Sequence, residues 1–114
     1  MSLERVLRAL ESLGLERVDA EVYVYLAKKG PQKRLDIAGA LKIRKQQLHS
    51  ILKNLQTKGV VTASPKRPAL FSAVLFEKAL ELLMEANMEQ AKAIKESKEE
   101  LFSSWRIIAE EDYT

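Results

Sequence analysis

The chain has 114 residues, of which 46% are hydrophobic and 31% are charged, so it can form one compact domain and is too apolar for a disordered chain. It has no cysteine, which excludes disulfides and thiolate metal sites, and no apolar stretch long enough to span a bilayer. The first ten residues mix charged with apolar side chains and do not form a signal peptide, so we expect a soluble cytoplasmic protein.

The net charge of +3 conceals an uneven distribution along the chain. Residues 28–67 hold eleven cations and one anion, a net charge of +10, whereas residues 1–27 and 68–114 carry net charges of −2 and −5. A basic block between acidic flanks is typical of a protein that binds a polyanion at one place. The distribution therefore predicts a polyanion site in the middle of the chain.

Two amphipathic helices are predicted at the N-terminus. The first ends at Gly14, and the second covers residues 17–29 and ends at Gly30-Pro31. Their apolar faces consist of Leu3, Val6, Leu7, Leu10 and Leu13 in the first helix and Ala20, Val22, Tyr23, Leu26 and Ala27 in the second. The sequence VYVY at 22–25 has β propensity, but the helical flanks and the length of the segment favour a helix.

An extended connection at 32–35 leads to a short helix over 35–41, a turn at Lys42-Ile43 and a basic helix over 44–58. This arrangement is typical of a helix-turn-helix. The small residues Ala38 and Ala40 are expected where its two helices cross closely.

The basic helix has two contrasting faces and no acidic residue. Its apolar face consists of Leu48, Ile51, Leu52 and Leu55, and its polar face of Gln46, Ser50, Lys53 and Thr57, with Lys45 and His49 beside them. Amides and a hydroxyl between cations can contact base edges while the cations contact phosphates. The alternative is a surface helix that is basic without binding nucleic acid.

After Gly59, residues 60–63 and 69–74 have the composition of two short strands, joined by the Pro-bounded loop 64–68. A β-hairpin directly after a helix-turn-helix is the wing of a winged helix, whose loop would place Lys66 and Arg67 on the DNA backbone or in the minor groove. The alternative for these two cations is an exposed turn that charge keeps soluble.

No glycine or proline interrupts residues 76–110, which predicts one helix about 50 Å long. We expect it to project from a winged-helix domain of residues 1–75 and to make residues 76–114 the dimerisation element. Its predicted dimer seam consists of Ile94, Leu101, Trp105 and Ile108. The alternative is a break near Asn87, after which the chain folds back over the first helix. The predicted fold class is mainly α with a small β-hairpin (α+β), a winged helix-turn-helix with an N-terminal helix and a long C-terminal helix for dimerisation.

The order of these motifs resembles the winged-helix domain of archaeal TrmB-like transcriptional regulators over roughly residues 13–84. The segments that carry the resemblance are LGL at 13–15, DAEVYVYLAKKGP at 19–31, DIAGALKI at 36–43, LHSILKNLQTKGVV at 48–61 and RPALFSAV at 67–74. The chain departs from the family in having Lys42 where a glycine is frequent and His49 where a tyrosine is frequent. The larger members also carry a sugar-binding domain, so sugar sensing is not inferred for this chain.

The resemblance implies sequence-specific binding of double-stranded DNA by a homodimer, with the helix at 44–58 in the major groove. The base-reading residues it implies are Lys45, Gln46, Gln47, His49 and Ser50, and the backbone contacts it implies are Lys33, Arg34, Arg44, Lys53, Lys66 and Arg67.

Two other functions are alternatives to DNA binding. A winged helix can instead bridge proteins of the transcription apparatus, with its basic face against an acidic partner. An enzyme is not predicted, because the single His49 and the three aspartates Asp19, Asp36 and Asp112 form no catalytic or metal-ligand spacing and no phosphate-binding glycine loop is present. We expect no cofactor, no metal, no membrane partner and no small-molecule effector.

Overall fold

The structure is a computed structural model that describes residues 2–111, apart from the side chain of Gln90. Asp112 therefore lies outside the described residues. The chain order is α1 (Ser2–Ser12), α2 (Arg17–Lys29), β1 (Gln32–Lys33), α3 (Arg34–Leu41), α4 (Lys45–Thr57), β2 (Val61–Ala63), β3 (Leu70–Ala73), α5 (Phe76–Ala86), α6 (Met88–Glu96) and α7 (Lys98–Glu110). None of the described helices is both long enough and apolar enough to cross a bilayer.

Helix α2 lies at the centre of the fold, with the bounds that the sequence predicts. Besides its expected apolar face, Val24 and Tyr25 are also buried, so the helix is covered on nearly all sides. The Tyr23 hydroxyl donates to the Val74 carbonyl at 2.7 Å, and burial raises the pKa of this phenol. The VYVY sequence is thus explained by burial on several faces of one helix.

The predicted hairpin is confirmed, and it belongs to a three-stranded antiparallel sheet in the order β1-β3-β2. Strands β2 and β3 pair with Val61 opposite Ala73, and the loop 64–68 joins them. The connection at Gln32–Lys33 is a third strand, in which Lys33 pairs with Leu70. This strand fixes the start of α3 against the base of the wing.

Helices α3 and α4 form the predicted helix-turn-helix. The turn residue Lys42 adopts a left-handed conformation, with φ 55° and ψ 48°, which is the geometry that glycine adopts most easily. Ile37 is fully buried and Ala38 packs against the core, but Ala40 is exposed. The expectation that Ala40 lies at the helix crossing is therefore wrong, because α3 turns only one side to the core.

The C-terminal segment is three helices, so the prediction of one continuous helix is wrong. Asn87 interrupts the chain with φ −132° and ψ 64°, and Ser97 separates α6 from α7. The Asn87 amide Nδ2 donates to the Leu13 carbonyl at 2.6 Å and to the Leu83 carbonyl at 3.0 Å. These bonds to the end of α1 and to α5 stabilise the break.

Helix α7 returns along α1, and the apolar side chains of α6 and α7 that were expected to form an exposed seam pack within this chain. Ile94, Leu101 and Ile108 are buried in the core of this chain, and the Trp105 ring stacks on Phe76 with 4.7 Å between ring centroids. Their spacing suits a partner helix equally well whether it comes from another chain or from the same one. The alternative of a break near Asn87 and a return over the first helix is the arrangement that the structure shows.

Candidate nucleic-acid interface

The polar face of α4 is directed outward because its apolar face is fixed in the core. Leu48, Leu52 and Leu55 are essentially inaccessible and Ile51 is 5% exposed, with α2 packed against this side of the helix. The five candidate base-reading residues are all exposed: Lys45, Gln46, Gln47, His49 and Ser50. A helix anchored along one side can enter a groove without rearranging the core.

A polar bond supplements the apolar contact between α2 and α4. Asp19 is only 4% exposed, and its carboxylate accepts a hydrogen bond of 2.9 Å from the Asn54 amide. A buried carboxylate needs such a partner, because burial without a hydrogen bond lowers the stability of the fold. The bond fixes the rotation of α4 about its axis relative to α2.

The exposed residues of α4 do not all point in one direction. At about 100° per residue, Gln46 and Ser50 lie near the middle of the outer face, while Gln47 and His49 lie on opposite flanks, roughly 160° apart. The Ser50 hydroxyl donates to the Gln46 carbonyl at 3.4 Å and is free to rotate toward a ligand. Gln46 and Ser50 are thus the members of the set best placed for a groove floor.

On the His49 flank, a crevice of about 440 Å³ follows the side of α4. Its polar lining comes from Arg34, His49, Lys53, Gln56 and Thr57. Gln56 was not among the predicted contacts, although it lies seven residues after His49 and therefore on the same side of the helix. That spacing was the sequence signal that could have identified it.

A second crevice, of about 830 Å³, lies between the start of α3 and the wing. Its lining includes four candidate backbone contacts, Lys33, Arg34, Lys66 and Arg67. Pairing of β1 with β3 brings Lys33 to this position. The Arg34 guanidinium lies 5.5 Å from the centroid of the Phe71 ring, a cation–π contact that orients it beside the sheet.

Arg34 lines both crevices and therefore connects them. We call the cations of the two crevices, Lys33, Arg34, Lys53, Lys66 and Arg67, the basic strip. Arg44 is outside it, at the N-cap of α4, where it is exposed. No acidic residue of the described chain lines either crevice, and within residues 2–111 no member of the strip forms an ion pair.

Two glutamates of the acidic N-terminal segment are paired away from the basic strip. Arg17 donates to both carboxylate oxygens of Glu4, at 2.6 and 2.9 Å, and to Glu11 at 2.9 Å. The hydrogen bond from Arg17 lowers the pKa of Glu4 to about 2. These carboxylates pair with the arginine of α2 and leave the basic strip without an internal counter-charge.

The geometry shows no arrangement for metal chemistry within the described residues. His49 is exposed on α4, and residues 2–111 contain no cluster of three or more histidine, aspartate or glutamate side chains that could hold a metal ion. The strip offers guanidinium and ammonium groups, which bind phosphate oxygens by charge-assisted hydrogen bonds.

The known sequences to which this chain is similar are those of transcriptional regulators. A model of the family described as "Sugar-specific transcriptional regulator TrmB" matches residues 10–77. The chain is also 28% identical over 99 residues to "HTH-type sugar sensing transcriptional regulator TrmBL1" of Pyrococcus furiosus. That alignment covers 87% of this chain and 29% of the relative, so the chain spans less than a third of the length of the curated relative it matches.

Solved structures share the fold at low sequence identity. The YusO protein from Bacillus subtilis superposes with a TM-score of 0.56 at 18% identity, covering 95% of this chain and 82% of that one. A transcriptional regulator of the MarR family from Rhodococcus sp. RHA1 superposes with a TM-score of 0.52 at 21% identity, covering 100% and 88%. At these identities the likeness concerns the fold alone.

Proposed function

This chain belongs to the TrmB family of transcriptional regulators, and we propose from that premise that it binds double-stranded DNA sequence-specifically as a homodimer. Helix α4 enters the major groove, and the wing loop 64–68 contacts the backbone or the minor groove. DNA binding is assigned to residues 1–75 and self-association to residues 76–114. A transcriptional regulator of this family is not an enzyme, and the proposal needs no cofactor.

The observation that carries the proposal is the continuity of the basic strip beside α4. A B-DNA major groove about 12 Å wide admits one α-helix, and phosphates line both of its edges. With Gln46 and Ser50 directed at the groove floor, Lys53 lies beside Gln46 on the side toward His49, Arg34 lies on that flank of the helix, and the wing cations lie beyond them. The spatial order of amides, flank cations and wing cations matches the order of base edges and phosphates.

Each class of residue has a separate role in the proposed complex. The strip neutralises phosphates and releases counterions, which supplies affinity for any duplex. Gln46 and Gln47 offer a donor and an acceptor on the same side chain, which suits the N6 and N7 atoms of adenine. The imidazole of His49, exposed on α4, can donate a hydrogen bond to a phosphate or to a base acceptor.

Sugar sensing appears in the descriptions of both the family and the curated relative, but we do not extend it to this chain. The relative is much longer than the aligned region.

The test is an anisotropy titration of a labelled random-sequence duplex at several salt concentrations, with wild type, Lys66→Glu and Lys78→Glu. Lys78 is exposed on α5 and lines neither crevice, so it is the matched charge control. We expect Lys66→Glu to weaken binding to all duplexes and to reduce the slope of log affinity against log salt by about 1.

Two results would contradict the proposal. If Lys66→Glu and Lys78→Glu weakened binding equally, the basic strip would not be the DNA site. If wild type bound no duplex at low salt, the winged helix would be better explained as a module that bridges proteins.

A further inference from the structure

A groove separate from the basic strip lies between the three C-terminal helices. It has a volume of about 710 Å³ and is lined by α5, α6 and the start of α7. Its apolar lining consists of Leu80, Met84, Met88, Ala91 and Phe102. Met88 is 72% exposed, an unusual position for a large apolar side chain directly beside a helix break.

The two sides of this groove carry opposite charges. Glu77, Glu81 and Glu85 follow one another at four-residue spacing on α5 and form an acidic wall. Lys92, Lys95 and Lys98 form a basic wall on α6 and the start of α7, and Glu89 is the one acidic residue that lines the groove on this wall. We call this feature the charged groove.

The wall residues of the groove form no ion pair among the described residues, although Lys98 Nζ lies 5.6 Å from the centroid of the Phe102 ring. Other glutamates and arginines of the same fold do form ion pairs. The groove separates the walls, so the acidic residues and the lysines face the same open space without neutralising each other. An apolar floor between unpaired charges indicates a surface built for a partner.

The partner that fits both walls at once is a second copy of this chain. In a contact related by a two-fold axis, the same patch on each copy must be complementary to itself. The charged groove meets that condition, because each acidic wall can face the basic wall of the other copy while the exposed Met88 side chains fill the space between the two apolar floors. A small ligand or an unrelated protein would not require walls of opposite charge on the same patch.

We propose that two copies of this chain associate through the charged groove, each placing its α6 against the α5 of the other, with Met88 of both copies in the centre. This inference rests on the homodimer part of the proposed function and names the surface that forms it. It replaces the seam of Ile94, Leu101, Trp105 and Ile108, which serves the chain's own core.

A charge-swap experiment tests the surface directly. One variant carries Lys92→Glu, Lys95→Glu and Lys98→Glu, and the other carries Glu77→Lys, Glu81→Lys and Glu85→Lys. All six residues are exposed, so both variants are expected to fold, and circular dichroism verifies this. Sedimentation equilibrium of each full-length variant alone, and of their equimolar mixture, measures self-association.

We expect each variant alone to associate about a hundredfold more weakly than wild type, because its walls would carry like charges. The mixture is expected to form a one-to-one heterodimer, since both contacts are then between opposite charges. The control Glu99→Lys with Arg106→Glu changes exposed charges on α7 outside the groove and should associate as wild type does.

If each variant alone dimerised as strongly as wild type, the proposal would be overturned. A mixture of the two variants that remained monomeric would overturn it as well. A monomeric wild type would also overturn it. The DNA proposal is measured separately, because α4 and the wing are unchanged in both variants and a monomer still binds a duplex through one winged helix. A wild-type protein that dimerised but bound no duplex would contradict the DNA proposal without contradicting the proposal for the charged groove.

Discussion

The N-terminal helices and the winged helix use charge in opposite ways. In α1 and α2, one arginine joins two glutamates at 2.6 to 2.9 Å, so these three charges are paired within the chain. In α3, α4 and the wing, five cations line two connected crevices with no ion pair among the described residues. Charges paired within a chain contribute to its fold, whereas charges of one sign gathered without partners raise its energy until a ligand neutralises them.

This difference separates two kinds of effect in mutants. Changing a paired charge should alter stability and leave DNA affinity nearly unchanged. Changing a strip cation should lower DNA affinity. It should leave stability equal or slightly higher, because it relieves repulsion between like charges.

The largest effect is expected from reversing two strip cations at once. Lys53→Glu with Arg67→Glu removes contacts on the flank of α4 and on the wing and adds two repulsive charges toward phosphates. We expect a loss of about a hundredfold or more in affinity for all duplexes at moderate salt, with an unchanged thermal midpoint. Anisotropy titration and differential scanning calorimetry measure the two quantities.

The matched control for the double reversal is Lys78→Glu with Arg106→Glu, which changes the net charge equally at exposed positions away from the strip. Equal losses in both double variants would mean that net charge, and not the strip, determines affinity.

The next effect concerns the break that returns α7 to α1. Asn87→Ala removes the bonds to the Leu13 and Leu83 carbonyls and places a strong helix former at the interruption. We expect the free energy of unfolding to fall by about 1–3 kcal/mol in a urea titration. Glu89→Ala, an exposed neighbour in α6, is the control and should change it little; a stability of Asn87→Ala equal to that of the control would show that the two bonds do not hold the break.

A change of comparable size but of a different kind is expected from Gln46→Ala. The truncation removes a base contact near the middle of the outer face of α4 and leaves the basic strip intact. We expect discrimination between the preferred duplex and one with a changed base pair to fall by about 1–3 kcal/mol, with an unchanged salt slope. Gln56→Ala, on the His49 flank, should alter discrimination less, and the reverse order would mean that α4 is rotated in the groove.

The smallest effect is expected from the paired charges of α1 and α2, which are exposed. Because Arg17 lowers the pKa of Glu4 to about 2 from the ordinary 4.5, the carboxylate contributes stability that is complete above pH 4.5. That contribution is lost as the pH falls through about 2. Arg17→Gln should flatten this part of the stability curve in urea titrations between pH 5 and pH 2, whereas Arg106→Gln should leave it as in wild type.

Features that depend on neighbouring residues could be predicted from the sequence. The bounds of α2 follow from its apolar spacing and from Gly30-Pro31, and the orientation of α4 follows from the spacing of its four apolar residues. The hairpin and the exposed Lys66 and Arg67 follow from the proline-bounded loop. In each case the determining signal lies within about a dozen residues.

Features that depend on distant partners could not be decided in this way, even where the sequence offered them as an alternative, as it did the break near Asn87. Strand β1 is two residues long and exists because Lys33 pairs with Leu70. The break at Asn87 depends on a carbonyl 74 positions earlier in the chain, and the burial of Asp19 depends on an amide 35 positions later. Arg34 lies beside both the wing and α4 because of contacts between residues far apart in the chain. The basic strip could therefore be recognised as a continuous surface only in the folded structure.

Selection of bound duplexes from a random-sequence pool tests most directly whether this surface recognises DNA. The account predicts that the 114-residue chain enriches one short motif, present twice with about 10 base pairs between the centres, and that Gln46→Ala changes the motif. A pool that keeps its random composition after repeated rounds, with no duplex bound more tightly than the starting mixture, would contradict it.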